Sequence, residues 1–432
     1  MIMNDLGVQK VFRLKCSAQH NAWGKTGMNS TVAQLLSSDG CIIEADKPYA
    51  ELWMGTHSIG PSRVFNSGQS KELLNDWIIR NPDCLRSSCR QSCDGNLPFL
   101  FKVLSINTAL AIQAHPNKVY AAELHRKRPD IYKDPNPKPE MAIALTPFKA
   151  MVGFRPIREV ADFVTKIEPL QTLIGTCRFA RLLKASMVMK SSTIHNEAME
   201  DCLRALLSHD KIEIQKQVYN LLDAVKKREG DGEDTEIYMP DVIRRLNRDY
   251  PGDVGIFMVY FLNIIDLEPS EAVFIDANVP HAYLSGDCIE CMVCSDNVVR
   301  AGLTYKYRDV ETFCGMIDYT GRPANQMKMK PSSVQMCQPG LKETHFQPSI
   351  SDFAISLIEV TEDCELFNLK PIDSASILLV QEGEGRASNS TLQSTIKIRK
   401  GTVLFISAGE MVKITKKSSY MLLFRSYSTP VI

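Results

Sequence analysis

The hydrophobic period of this chain changes twice, and those two changes constrain its fold more than any other feature. Up to Phe154 the apolar residues come in short runs bounded by turn formers. "NLPFLFKVLSI" and "TALAIQAH" have strand length, and "YAELWMGTHSIGPS" ends in Gly, Pro and Ser. "YKDPNPKPEMAIALTP" is a proline-rich loop feeding a short apolar strand. A helix is expected within "NKVYAAELHRKRPD". From Phe154 to Tyr250 the period is helical. Ile214, Val218, Leu221, Leu222 and Val225 fall at i, i+4, i+7, i+8 and i+11, one apolar stripe. Ser208 and Asp210 offer N-caps, and "KKREGDGE" ends the pattern with bases and glycine. "VADFVTKIEPLQTLI" and "IRRLNRDYPGD" read as helices too. Strand texture returns at "IFMVYFLNIIDL" and runs to the end. The expected fold is mainly β with an α insertion.

A faint internal repeat supports related β units. EAVFIDANVPHAY (271–283) is echoed by TVLFISAGEMVKI (402–414), with Phe274 matching Phe405 and Ile275 matching Ile406. The second copy has Val412 where the first has His281, so it would be a copy without a ligand there.

Charge points to no macromolecular partner. Lys and Arg number 50 and so do Asp and Glu, which gives no pull toward nucleic acid or an anionic membrane. No apolar run approaches the roughly 20 residues of a membrane helix. The first residues, MIMNDLGVQKVFRLKCSAQ, lack the apolar core of a signal peptide, so a cytoplasmic address is expected.

Thirteen cysteines are spread along the chain and are expected to be free thiols. Cys84, Cys89 and Cys93 have gaps of five and four, unlike a zinc knuckle. Cys288, Cys291 and Cys294 have metal-like gaps but sit among Ile, Met and Val. On a strand they would alternate faces, so packing is the expected role.

Another set of residues suits a metal better. Gln113 and His115 stand two apart, on one face if extended. Glu140 opens the strand EMAIAL, whose same-face neighbours Ala142 and Ala144 leave room beside a carboxylate. His281 follows Asn-Val-Pro at the start of another strand. Two imidazoles, a carboxylate and an amide suit zinc with a place left for substrate. Read from the residues alone, the alternative stands that each histidine is an ordinary structural one. Lys102 interrupts an apolar run, where a buried lysine needs a polar partner. Lys118, Lys138, Arg300 and Lys306 add basic groups that fit an anionic substrate. Asp287 lies in a Ser-Gly-Asp turn and reads as structural, whereas Glu290 sits among apolar residues and is a candidate proton carrier. No G-x-G-x-x-G follows a strand and there is no P-loop, so nicotinamide- or ATP-linked chemistry has no handle.

Six motifs in order carry a resemblance: "YAELWMGTH" (49–57), "GNLPFLFKVLS" (95–105), "IQAHPNK" (112–118), "KPEMAIALTPF" (138–148), "NVPHAYLSGDCIECM" (278–292) and "SDNVVRAGLT" (295–304). Together they resemble the type I mannose-6-phosphate isomerase (phosphomannose isomerase) family. The resemblance implies a cupin (jelly-roll) catalytic core in two parts, 1–153 and 253–330, with a helical insertion at 154–252 and a jelly-roll-like C-terminal domain at 331–432. It implies a zinc enzyme, one ion per chain, that interconverts mannose 6-phosphate and fructose 6-phosphate through a cis-enediol and feeds mannose activation. Carried over, the zinc ligands are Gln113, His115, Glu140 and His281, and Arg300 is the catalytic arginine. Lys102, Lys118, Tyr283 and Lys306 fall on substrate-pocket positions, with Glu290 or Lys138 as the base. A monomer acting on a hexose phosphate is expected. Three departures from the family pattern stand out: Ala111 in place of serine, Tyr305 in place of proline, and "HNAWGK" without the family's tyrosine. Two rival readings are a silent sugar-phosphate-binding cupin and a cupin oxygenase, since two histidines and a carboxylate also bind iron.

Overall fold

The computed structural model describes residues 9–66, 69–85, 96–189, 191–392 and 394–430. Cys89 and Cys93 of the first cysteine cluster lie outside the described residues.

The architecture is mainly β with a helical insertion. A run of helices from Ile157–Lys166 to Pro240–Asp249 interrupts the strands. The longest, Lys211–Gly230, begins where the Asp210 side chain accepts from the Glu213 backbone N–H. Ser208 ends the preceding helix, so it caps nothing here. Ile214, Val218, Leu221 and Val225 are buried, each contributing roughly 1.5–3 kcal/mol through lost apolar exposure. They share one core with Phe257, Leu262, Val299 and Ala301 of the β region, so the insertion packs against the strands that carry the site.

Two large sheets hold the rest. An eleven-stranded sheet contains Glu51–Met54, Phe99–Ile106, Ile112–Ala114, Glu140–Ala144, His281–Val293 and Val299–Gly302. A nine-stranded sheet joins Val11–Lys15 to Val403–Ile406 and to the strand Met421–Tyr427. The chain's first described strand therefore shares a sheet with its last. The two copies of the repeat are each a strand, a five-residue turn and a second strand, Ala272–Ile275 into His281 and Val403–Ile406 into Val412.

Candidate active site

Strand register gathers the polar residues. Residues directly opposite on antiparallel strands project to one face. Gln113 stands opposite His281 and also opposite Arg300, and His115 follows on the same face two residues on. On the long strand, Glu290 stands between Lys102 and Ala142, and Lys102 stands opposite Trp53. Glu140 shares the face of Ala142. Alanines at 142, 144 and 150 leave the interior of the sheet open for these side chains.

The centre is a buried His–Glu–His group. His115, Glu140 and His281 bring their ligand atoms within 4.8 Å of one another, the one such group of three or more potential ligands among the described residues. His281 Nε2 lies 3.0 Å from Glu140 Oε1, and His115 Nε2 lies 3.4 Å from Glu140 Oε2. His115 Nε2, His281 Nε2 and Glu140 Oε2 are buried without a hydrogen-bond partner. Such atoms are costly unless a ligand completes them.

Both rings are oriented from behind. His115 Nδ1 lies 2.7 Å from the Asn297 carbonyl, and His281 Nδ1 lies 2.9 Å from the Val279 carbonyl. Each Nδ1–H donates outward, which leaves the Nε2 lone pair facing in. Asn297 is itself fixed by its side-chain bonds to the Asp134 and Asn136 carbonyls in the proline-rich loop. Asn278, with φ 66°, turns the chain into His281 and donates its N–H to the His115 carbonyl.

Burial, helped by Lys138, lowers His115 to about 4, so its ring is neutral at neutral pH. Burial alone would raise Glu140, but Lys138 and the two imidazoles outweigh it and hold the carboxyl well below its usual range. Two imidazoles with their Nε2 atoms turned inward and a carboxylate, converging on one point, fit a divalent ion such as zinc.

A second network flanks the first. Lys102 Nζ lies 3.0 Å from Glu290 Oε2, 3.4 Å from Glu51 Oε2 and 5.0 Å from the Trp53 ring centroid. Trp53 Nε1 and Asn21 Nδ2 donate to Glu51. Burial opposes the Lys102 charge, yet Glu290 and Glu51 outweigh it and raise the lysine. Two carboxylates share one ammonium, and burial pushes Glu290 above the ordinary carboxylate range. Lys138 Nζ lies 3.3 Å from Glu140 Oε2, and the Tyr283 hydroxyl donates to Glu140 Oε1 at 3.2 Å.

Gln113 and Arg300 open onto a cavity of about 520 Å³ that Trp23, Tyr250, Thr304, Tyr305 and Lys306 also line. Burial lowers Arg300, and no carboxylate among the described residues pairs with it. Lys118 stands exposed at the start of the helix Lys118–Lys127 and is not among the residues lining this cavity. The turn expected at 285–287 does not form, because one strand runs from His281 to Val293; Asp287 is structural all the same, accepting from Lys25 Nζ at 2.8 Å and from the Ser105 hydroxyl. Glu51 and Trp53 join the network although no sequence argument pointed to them. The signal was present, since Glu51 is a carboxylate inside the apolar run of "YAELWM".

Cys288 and Cys291 are buried in different cores, one on each face of their strand. Replacing Cys288, Cys291 and Cys294 together by alanine is expected to leave zinc content unchanged and to cost a few kcal/mol of stability. Metal analysis and urea unfolding of the triple variant check this, and loss of metal would restore the cluster reading.

Comparison with known proteins agrees with this geometry. The family model for the catalytic domain of phosphomannose isomerase type I matches residues 11–157, and that for its helical insertion domain matches residues 174–262. The mannose-6-phosphate isomerase of Macaca fascicularis is 44% identical over 425 residues, covering 98% of this chain and 99% of the relative. A crystal structure of a phosphomannose isomerase variant from Salmonella typhimurium superposes with a TM-score of 0.80 at 30% identity, covering 98% of this chain and 100% of its own. A zinc-bound mannose 6-phosphate isomerase structure gives the same TM-score, identity and coverage. With both family models matched in order and the relatives aligned along nearly their whole length, this chain belongs to the type I phosphomannose isomerase family.

Proposed function

We propose that this chain interconverts D-mannose 6-phosphate and D-fructose 6-phosphate, with one zinc ion held by Gln113, His115, Glu140 and His281. The observation that carries the reading is the convergence of three buried ligand atoms without hydrogen-bond partners beside a cavity whose arginine pairs with no carboxylate among the described residues. Zinc, when bound, supplies Lewis acidity at the sugar oxygens.

The protein's own residues do the rest. Lys306, at the exposed edge of the cavity, takes the phosphate, whose binding orients the distant carbons. Arg300, deeper and beside Gln113, faces the negative charge that develops on the enediolate. Glu290 moves the proton between C1 and C2. Its raised carboxyl suits a group that must both accept and return a proton. Lys102 and Tyr283 hold the two carboxylates, Glu290 and Glu140, in place, and Lys138 is the alternative base. Lys118, exposed at the N-terminal turn of its helix, is kept as an outer anion contact.

The same reading takes 1–153 and 253–330 as the cupin core, 154–252 as the insertion and 331–432 as a second jelly-roll-like domain. It makes the protein a cytoplasmic monomer without a nucleic-acid or membrane partner. Balanced charge supports the absence of a nucleic-acid or anionic-membrane partner, and no described helix is long and apolar enough to cross a membrane.

A coupled assay for fructose 6-phosphate formed from mannose 6-phosphate, run with metal analysis, is the direct test. One zinc per chain is expected, because Val412 occupies the repeat position of His281. Chelation is expected to abolish turnover and added zinc to restore it. No product from zinc-loaded protein would overturn the proposal, and two zinc ions per chain would overturn the single-site assignment.

A further inference from the structure

Asp253 stands where the helical block returns to the β core. Its Oδ1 accepts from the backbone N–H of Gly255 and from that of Leu303, each at 2.7 Å. Leu303 is fully buried and has a φ of 50°, in the left-handed region that residues with a Cβ occupy only when their surroundings hold them there. The two segments approach too closely for added atoms. A Cβ on Gly302 would come within 2.9 Å of the Gly255 Cα, and one on Gly255 within 2.8 Å of the Leu303 nitrogen.

Immediately after Leu303 the chain forms the rim of the cavity, with Thr304, Tyr305 and Lys306. The residues just before Asp253 hold the opposite rim. Asp249 Oδ2 accepts from the Ala109 N–H at 3.1 Å, and the Tyr250 hydroxyl donates to the Ala109 carbonyl at 2.8 Å. The Tyr250 ring also meets that of Tyr305, with centroids 5.4 Å apart. One short segment, Asp249 to Asp253, therefore grips both sides of the cavity mouth.

We propose that Asp253 is a positioning residue for the phosphate end of the cavity: its carboxylate holds the left-handed turn at Leu303, and that turn sets where Tyr305 and Lys306 stand. The inference rests on the reading of this cavity as a hexose 6-phosphate site. Without the two hydrogen bonds Leu303 relaxes toward ordinary φ values, and Lys306 swings with it. Gln113, Glu140, His281 and Arg300 lie on strands held by their own ladders, and the His115 ring is fixed through its Nδ1 to the Asn297 carbonyl, so the chemical step keeps its geometry.

The test uses full-length, zinc-loaded protein. Asp253→Ala is expected to raise KM for mannose 6-phosphate about tenfold, with kcat within about twofold and zinc content unchanged. Adding Leu303→Gly to that variant is expected to bring KM back most of the way, because glycine adopts positive φ without the steric penalty. Asp253→Asn keeps one acceptor oxygen, and KM is expected to rise only about threefold, as a neutral acceptor is weaker than a charged one. If the alanine variant does not fold, Asp253→Asn with and without Leu303→Gly gives the same comparison. Calorimetric binding of a hexitol 6-phosphate, which has no carbonyl to isomerise, is measured on every variant. An unchanged KM, or a rise that Leu303→Gly fails to reverse, overturns the proposal. A wild type that binds the hexitol phosphate in this same pattern but turns nothing over leaves the positioning role standing and removes the isomerase reading. A wild type that does not bind it removes both.

Discussion

Replacing His281 by alanine is expected to strip the metal from the purified protein and to cut isomerase activity about a thousandfold, the scale set by losing several kcal/mol of charge stabilisation. The argument is one of unsatisfied atoms. His281 Nε2, His115 Nε2 and Glu140 Oε2 face one another in a fully buried space and have no hydrogen-bond partner. Removing one imidazole leaves a buried carboxylate, a single ring and the neutral Gln113 amide to hold a doubly charged ion. Gln113→Ala is expected to do less, since a neutral amide contributes less than an imidazole to an ion's charge stabilisation. Metal analysis before and after dialysis, with activity measured at added zinc, ranks the two. Full zinc occupancy in the His281 variant would sink the ligand assignment. Excess zinc is expected to restore part of the Gln113→Ala activity and little of the His281→Ala activity, because a weakened site refills by mass action.

The legible part of the fold is the part that local pattern encodes. Period alone locates the helical block, because an amphipathic stripe such as Ile214 to Val225 needs no tertiary information. The small residues beside Glu140 are visible as a strand face, and the structure buries Ala142 and Ala144 beside the carboxylate. Three features depend on pairings between distant segments and have no local signal. The ladder of Val11–Lys15 with Val403–Ile406 joins the two ends of the chain. The partnership of Glu51 with Lys102 depends on two strands meeting in one register. The grip of Asp253 on Leu303 spans a separation of 50 residues. Lys118 shows the converse. Its place in a family motif carries it into the candidate pocket, yet the strand ends at Ala114 and the lysine lies on the helix beyond, exposed. Motif membership reports that a residue is near the site in sequence; only register reports which way it faces.

Arg300→Ala is expected to lower kcat by a factor of about 100 to 1,000 while KM changes by less than about threefold. The guanidinium belongs to a strand residue opposite Gln113, so it enters the cavity beside the metal group rather than at the solvent edge. Burial lowers its pKa, and no carboxylate among the described residues neutralises it. An unpaired, partly desolvated cation is costly in the resting protein. It becomes favourable when negative charge develops beside it, as on an oxygen carried by C1 or C2 of the enediolate. A charge that meets its partner only in the transition state affects kcat. A charge that holds the phosphate in both ground and transition states affects KM. On the proposed reading these tasks fall to different residues, since Lys306 is at the cavity's exposed edge and Arg300 is within. Lys306→Ala is therefore expected to show the opposite pattern, a raised KM with kcat nearly kept. Steady-state kinetics on both variants, with zinc content verified, decides the matter. If Arg300→Ala raises only KM, the arginine binds phosphate, and the stabilisation of the enediolate must come from elsewhere in the site.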